Sequence, residues 1–185
     1  MFIRLLNETD KELFAKVAYL LSLADNPLRW NGKTKSEISA NTDFSKLEVQ
    51  KDEAEMALLV EWGIDVGRYQ QRQVYNALLE KLKDVPLSGV EDEAIRTTHA
   101  CFLLEELLSE KQEERRDLAP AIPKIMLYHL MLMALSDGHI TGVEEALLML
   151  FSEHYKIPEF IYEEIQERAE AAHGEVQKTL AIILE

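Results

Sequence analysis

Residues 121–151 read AIPKIMLYHLMLMALSDGHITGVEEALLMLF, and the fold class follows from that stretch. Residues 125–135 are apolar almost all round, with His129 as the clearly polar exception. A helix of this kind is enclosed by its neighbours, whereas a surface helix keeps a polar face. Pro120 and Pro123 bracket its start, where a missing N–H does no harm. The turn Ser136-Asp137-Gly138-His139 stops it, because Gly138 accepts a positive φ. Thr141-x-x-Glu144 is a capping box that opens the next helix, through Phe151. Two helices joined by a short polar turn, one of them enclosed, require further helices as cover.

Those helices can be read outward from this stretch. Thr9-x-x-Glu12 predicts a helix to about Ala24, with Leu13, Phe14, Val17, Leu20 and Leu21 at helical spacing. Asn26-Pro27 stops it in the loop ADNPLRWNGK at 24–33, and Thr34-x-x-Glu37 opens a shorter helix. Residues 40–46 read as loop, and 48–62 as a helix that ends or bends at Gly63. Asp65 caps a helix to about Lys83, and VPLSG at 85–89 is the connector near mid-chain. Ser88 or Gly89 precedes a helix carrying Ala94, Ile95, Thr98, Phe102, Leu103 and Leu107, whose end EKQEERRD at 110–117 is solvated. Pro158 fits the first turn of an amphipathic helix with Phe160, Ile161, Ile165, Ala169 and Ala172. Gly174 ends that helix, and a short apolar C-terminal helix follows. No segment alternates as a strand would. The expectation is an all-α bundle of eight or nine helices in a single domain, 1–185. Its halves cover about 1–84 and 90–185, and the helices at 10–24 and 125–136 pack together at its centre.

Composition agrees with the pattern. Ala, Glu, Lys, Leu and Arg supply 90 of the 185 residues, while Gly and Pro supply 12. That is about half the usual Gly and Pro share of roughly 12%, too few for the turns of a sandwich or barrel. A chain of this length buries enough surface to hold a core without disulfides or metal. The net charge of −14 repels phosphate backbones and anionic lipid surfaces. It suits cations, or a protein partner with a basic face. Cys101 has no internal partner and sits in the apolar run HACFLLEELL, so it reads as a buried, inert thiol. The opening MFIRLLNETDKE turns polar after six residues, unlike a signal peptide, and the longest uncharged apolar run, 125–136, is too short to cross a bilayer. These features predict a cytoplasmic protein without membrane insertion.

Shifting the chain by 112 residues aligns LLSLADN (20–26) with LMALSDG (132–138). Each copy runs from an apolar helix into Asp, then Asn26 or Gly138, then a Thr-x-x-Glu box at Thr34–Glu37 or Thr141–Glu144. The first copy carries a five-residue insertion holding Trp30. With this pattern the chain resembles the TerB-like family, named for a tellurite-resistance protein. MALSDGHITGVEEALLMLFSEHYKIP is similar to the family pattern A-D-G-x-I-x-x-x-E, and MFIRLLNETDKELFAKVAYLLSLAD is similar to how many members begin. Asn26 stands where Gly is usual, and Ser136 where Ala is usual. The resemblance implies a helical domain of two helix–Asp-loop–helix halves, stress-associated or accessory roles, an acidic cluster for a divalent metal, and no established catalytic chemistry.

The candidate ligands are Asp25, Glu37, Asp137, Glu144 and Glu145. On one reading they converge near a pseudo-symmetry axis and hold Mg²⁺, Mn²⁺ or Ca²⁺ through oxygen atoms. On the other, each Asp caps its own turn and each Glu closes its own box, leaving Glu145, about 100° further round the helix, to face elsewhere. Neither loop is an EF-hand: counting from Asp25 puts Pro27 and Arg29 at ligand positions and Trp30 at the required glycine. His139 could complete a site at the Asp137 loop, His129 reads as a core histidine, and Glu170-x-x-His173 lacks the second copy a di-iron bundle needs. Trp30 is either a lid on the core or an anchor for a partner.

The leading function is a non-enzymatic TerB-like binding or accessory module with an acidic surface, with or without a divalent ion. The alternatives are a carboxylate-metal enzyme using Asp137 and Glu145, and an acidic inhibitor or immunity-type protein that covers a basic partner. All three exclude nucleic acid as a ligand. A fluorescence anisotropy titration with duplex DNA at about 150 mM salt is expected to show no binding. Micromolar affinity in that buffer would refute the electrostatic argument.

Overall fold

A computed structural model of the chain describes residues 2–25, 28–43, 47–49, 53–64, 69–82, 92–109 and 119–184. Within them lie seven α-helices: α1 (Glu8–Asp25), α2 (Glu53–Glu61), α3 (Tyr69–Leu82), α4 (Glu93–Ser109), α5 (Ala121–Ala134), α6 (Gly142–His154) and α7 (Glu159–Leu184). Single 3-10 turns occupy Phe2–Leu5 and Lys35–Glu37, and two short strands, β1 (Leu28–Trp30) and β2 (Leu47–Val49), pair as a ribbon. The all-helical class is as expected, apart from the ribbon. The expected helix at Thr34 is one 3-10 turn, and the expected break at Gly174 does not occur.

α1 starts two residues before its Thr9-x-x-Glu12 pattern suggests. Asn7 Oδ1 accepts from the Asp10 N–H at 2.9 Å, and Asp10 Oδ2 accepts from the Asn7 N–H at 3.4 Å. Asn is as good an N-cap as any residue, and Asp10 closes the box as a Glu would. From Leu13 to Ala24 every described side chain is buried except the half-buried Lys16. α1 packs against α3, α4, α5 and α6, so it is as central as α5, with which it was expected to pair.

The ribbon is a departure from the sequence reading. Asn31 and Gly32 take φ of 52° and 76°, and Trp30 and Lys33 exchange backbone bonds of 2.9 and 3.1 Å. Positive φ at both central residues is the two-residue hairpin turn for which Asn-Gly is the strongest sequence signal. β1 then pairs antiparallel with β2, Leu28 opposite Val49 and Trp30 opposite Leu47. Residues 48–49 therefore belong to a strand, and the helix expected from Glu48 starts at Glu53. Trp30 is 5% exposed and belongs to the core, which makes it the lid and not the anchor.

α2 ends at Gly63 (φ 83°), where the Gly63 and Ile64 N–H groups reach back to Val60 and Leu59. This double bond after a left-handed residue terminates the helix and leaves Trp62 buried. The expected Asp65 cap, the 85–89 connector with Ser88 and Gly89, and the 110–117 helix end lie outside the described residues. α4 opens on Asp92, whose Oδ1 accepts from the Ala94 and Ile95 N–H groups at 3.0 and 3.2 Å. Ala100, Leu103, Leu104, Leu107 and Leu108 make its buried face. Ile95 and Phe102, which the same helix carries, are exposed, since both lie roughly 200° round the helix from Ala100. Cys101 is half-buried; burial, then the charge of Glu105, pushes its thiol above the ordinary range.

α5 buries Met126, Leu127, Leu130, Met131 and Met133, as its pattern predicts, between α1, α6 and α7. α4 and α6 form the most extensive helix pair. No helix among the described residues is long and apolar enough to cross a membrane.

α7 runs without a break through Gly174. The flanking residues AEAAHGEVQK favour helix, and one interior glycine costs only about 1 kcal/mol against alanine. A Cβ built at Gly174 meets nothing within 4 Å, and its φ is not positive. Gly174→Ala should therefore stabilise the protein by roughly 0.5–1 kcal/mol. A urea titration checks this; a lower midpoint would show that Gly174 terminates the helix after all.

Candidate functional site

The turn between α5 and α6 is built from local hydrogen bonds. Gly138 (φ 101°) returns its N–H to Leu135 O at 2.9 Å. Asp137 Oδ1 accepts from the His139 N–H at 3.2 Å, and its Oδ2 stands 3.4 Å from His139 Nδ1. Asp137 thus caps its own turn. Thr141 is the N-cap of α6. Glu144 Oε2 accepts from the Thr141 N–H at 2.9 Å and from Thr141 Oγ1 at 3.1 Å, and the Glu144 N–H donates to Thr141 Oγ1 at 3.4 Å. Glu144 is only 3% exposed and is occupied in this box. A Cβ at Gly142 would run into the Glu93 carboxylate, so α4 delivers a further acid to the first turn of α6. Acids are favoured there by the partial positive charge of the helix N-terminus.

Glu145 follows a different course. One step round the helix from Glu144, it lines a cleft of about 310 Å³ between the Asp137 turn and α7. Gly138 and His139 form one wall, and Tyr162, Gln166 and Glu170 of α7 form the other. Residues 162, 166 and 170 recur every four positions, so they share one face of α7. Gln166 Nε2 donates to Glu170 Oε1 at 3.0 Å. Burial raises the Tyr162 phenol above its ordinary pKa, and the Glu145 charge adds to the rise. The phenol therefore stays a proton donor at neutral pH beside a carboxylate.

Among the described residues of the first loop, Glu37 serves its own turn. Glu37 is exposed, and its Oε2 accepts from both the Thr34 N–H and Thr34 Oγ1 at 2.9 Å. These bonds, backbone first, lower its pKa, with Arg29 and Lys33 as weaker contributors. α1 ends at Asp25, whose side chain lies outside the described residues. Among the described residues, no three His, Cys, Asp or Glu side chains gather as a metal ion would require. Of the five candidates, Glu145 lines the cleft, while Asp137, Glu144 and Glu37 serve their own turns.

Sequence reasoning missed Tyr162, Gln166 and Glu170 as partners of the Asp137 loop. The signal was their four-residue spacing on α7, a polar stripe beside the apolar one. It also missed a groove of about 710 Å³ along α1, lined by Glu8, Lys11, Glu12, Tyr19, Trp62 and Gln73. Lys11 there is tied to Glu8 at 2.8 Å.

His129 is a core residue, as its place in the apolar run predicts. It is fully buried, its Nδ1 donates to Ile125 O at 2.8 Å, and Phe14, Trp62 and Tyr128 surround its ring with centroids 5.2–6.2 Å away. Burial depresses its pKa, and that of His154. The unfolded chain takes up a proton near pH 6.5 where the folded one resists. Stability should be complete above about pH 6.5 and fall as the pH drops below it, until the folded imidazole itself protonates. His129→Phe should make that fall shallower than in the wild type. Urea midpoints at pH 7.5 and 5.5 for both proteins check this, carboxylate effects being common to the pair.

Comparison of the chain with protein-family models, with curated proteins and with solved structures finds no match. The TerB-like resemblance rests on the residues quoted for it.

Proposed function

We propose that this chain is a non-enzymatic, TerB-like helical binding module of the cytoplasm. It engages a protein partner with a basic face and seats a Lys or Arg side chain in the Glu145 cleft. One observation carries this reading: the cleft joins two carboxylates, Glu145 and Glu170, with the Tyr162 phenol oxygen, all three able to accept from a cationic head, and no described Lys or Arg lines it. Its volume is at the lower end of ligand pockets, the size for a side-chain head and not a large cofactor. A chain of net charge −14 draws a basic partner toward such a cleft and accelerates the encounter.

A cationic side chain suits these acceptor oxygens better than a metal ion does. The divalent ion implied by the resemblance needs several oxygen ligands at one point. The carboxylates of Asp137 and Glu144 are engaged in their own turn and box, so the described residues do not fit a metal as they stand. A Lys ammonium or Arg guanidinium needs only one or two carboxylates at hydrogen-bond distance. The two-halved organisation belongs to the same proposal. Glu37 and Glu144 make the same pair of bonds to Thr34 and Thr141, which supports a repeated loop-and-cap unit whose second copy has become the binding one.

Calorimetry with an arginine-rich peptide tests the reading. Glu145→Gln is expected to weaken binding about tenfold, equivalent to one charge-assisted contact, and Glu170→Gln to weaken it less. Asp137→Asn should leave affinity nearly unchanged. Parallel titrations with Mg²⁺, Mn²⁺ and Ca²⁺ separate the alternative. Metal heats abolished by Asp137→Asn, with peptide affinity indifferent to Glu145→Gln, would replace this proposal with the metal reading.

A further inference from the structure

α7 carries one apolar stripe along its whole length, but only its first half is covered. Ile161, Ile165 and Ala169 pack toward α5, with Ala169 fully buried. From Glu175 to the end of the described helix every residue is exposed. In that tail Val176, Leu180, Ile183 and Leu184 are 56%, 44%, 69% and 83% exposed. Val176, Leu180 and Ile183 are spaced by four and three residues, the spacing of a two-helix seam. Gln177, Thr179 and Leu184 flank it without charge. Glu175 and Lys178 lie on the outer face and are paired to each other at 2.7 Å.

We propose that the α7 tail is a self-association element, covered by the tail of a second copy of this chain running antiparallel. Charge singles out this occupant. Two chains of net charge −14 repel each other almost everywhere, yet residues 171–184 hold one Glu and one Lys and are neutral. Flanking charges decide which partners a helical seam accepts, and here nothing on the flanks opposes an identical copy. Direction follows from the same balance. Parallel tails would bring two acidic bodies side by side. Antiparallel tails, with the two-fold axis beside Leu180 and Val176 against Ile183 of the second copy, hold the bodies about 20 Å apart at 1.5 Å per residue. That is more than two screening lengths of about 8 Å. The seam holds only three apolar positions, Val176, Leu180 and Ile183, so the interface lies at the small, weak end of specific ones and the dimer forms at micromolar concentrations. This surface is separate from the Glu145 cleft, which stays accessible in the pair.

Sedimentation velocity from low to high micromolar concentration tests the proposal on the full chain. The wild type should pass from monomer to dimer, with little further dependence on salt above about 150 mM, since the bodies already lie beyond the screening length. Leu180→Lys should weaken association at least tenfold with unchanged helix content by circular dichroism. Ile182→Lys is the control: Ile182 is 74% exposed but lies off the seam, so the dimer should survive. A wild type that stays monomeric throughout would overturn the proposal. So would equal weakening by the two substitutions, which would mean unspecific apolar contact.

Discussion

Enclosing α1 on nearly every side is the constraint on which the other elements depend. Its residues 13–24 offer an almost complete apolar cylinder, and one neighbouring helix could cover only a third of it. α3, α4, α5 and α6 are therefore all drawn to it. Each large side chain so buried contributes about 1.5–3 kcal/mol, which offsets much of the entropy lost in ordering the chain. Polar groups on this helix must find partners inside. Ser22 Oγ donates to Glu55 Oε2 at 2.6 Å and binds α1 to α2, while Asp10 closes the opening box. A buried carboxylate without donors would be far more costly than either arrangement.

The second consequence is the aromatic cluster where α1, α5 and the end of α2 meet. His129 meets Phe14 and Trp62 edge to face, those two rings are tilted against each other, and His129 reaches the backbone of its own helix through Nδ1. A neutral imidazole tolerates such a place, which is why a histidine in the most apolar stretch of the chain reads better as packing than as a ligand. With α5 fixed in this way, the Asp137 turn emerges at the body's surface, and α7, which packs on α5, passes beside it. The cleft is a by-product of that geometry.

Parts of this are legible in the sequence itself. The capping box at Thr141 and Glu144, the Gly138 turn and the burial of α5 depend on residues within one or two turns of each other, so they could be read from spacing. The Asn31-Gly32 hairpin is equally local, a two-residue signal within a chain of otherwise helical composition. The shift of the α1 box from Thr9 to Asn7 has a similar origin, since two overlapping cap patterns compete and a difference of a few tenths of a kcal/mol decides between them. Of the candidate site, the alternative uses of Asp137 and Glu144 were visible as the competition between a cap and a ligand. The facing residues on α7 were not.

What the sequence determined by itself is the helical class, the turn at Asp137 and Gly138, the box that closes α6 and the buried character of α5. All of these are set by hydrogen bonds and periodicity among near neighbours in the chain. Only the tertiary structure decided that β1 and β2 pair, and that Glu145 faces Tyr162 and Glu170 while Glu144 does not. Those outcomes turn on contacts between residues far apart in sequence. A strand needs its partner's backbone, and a carboxylate gains its role from the helix that packs opposite it.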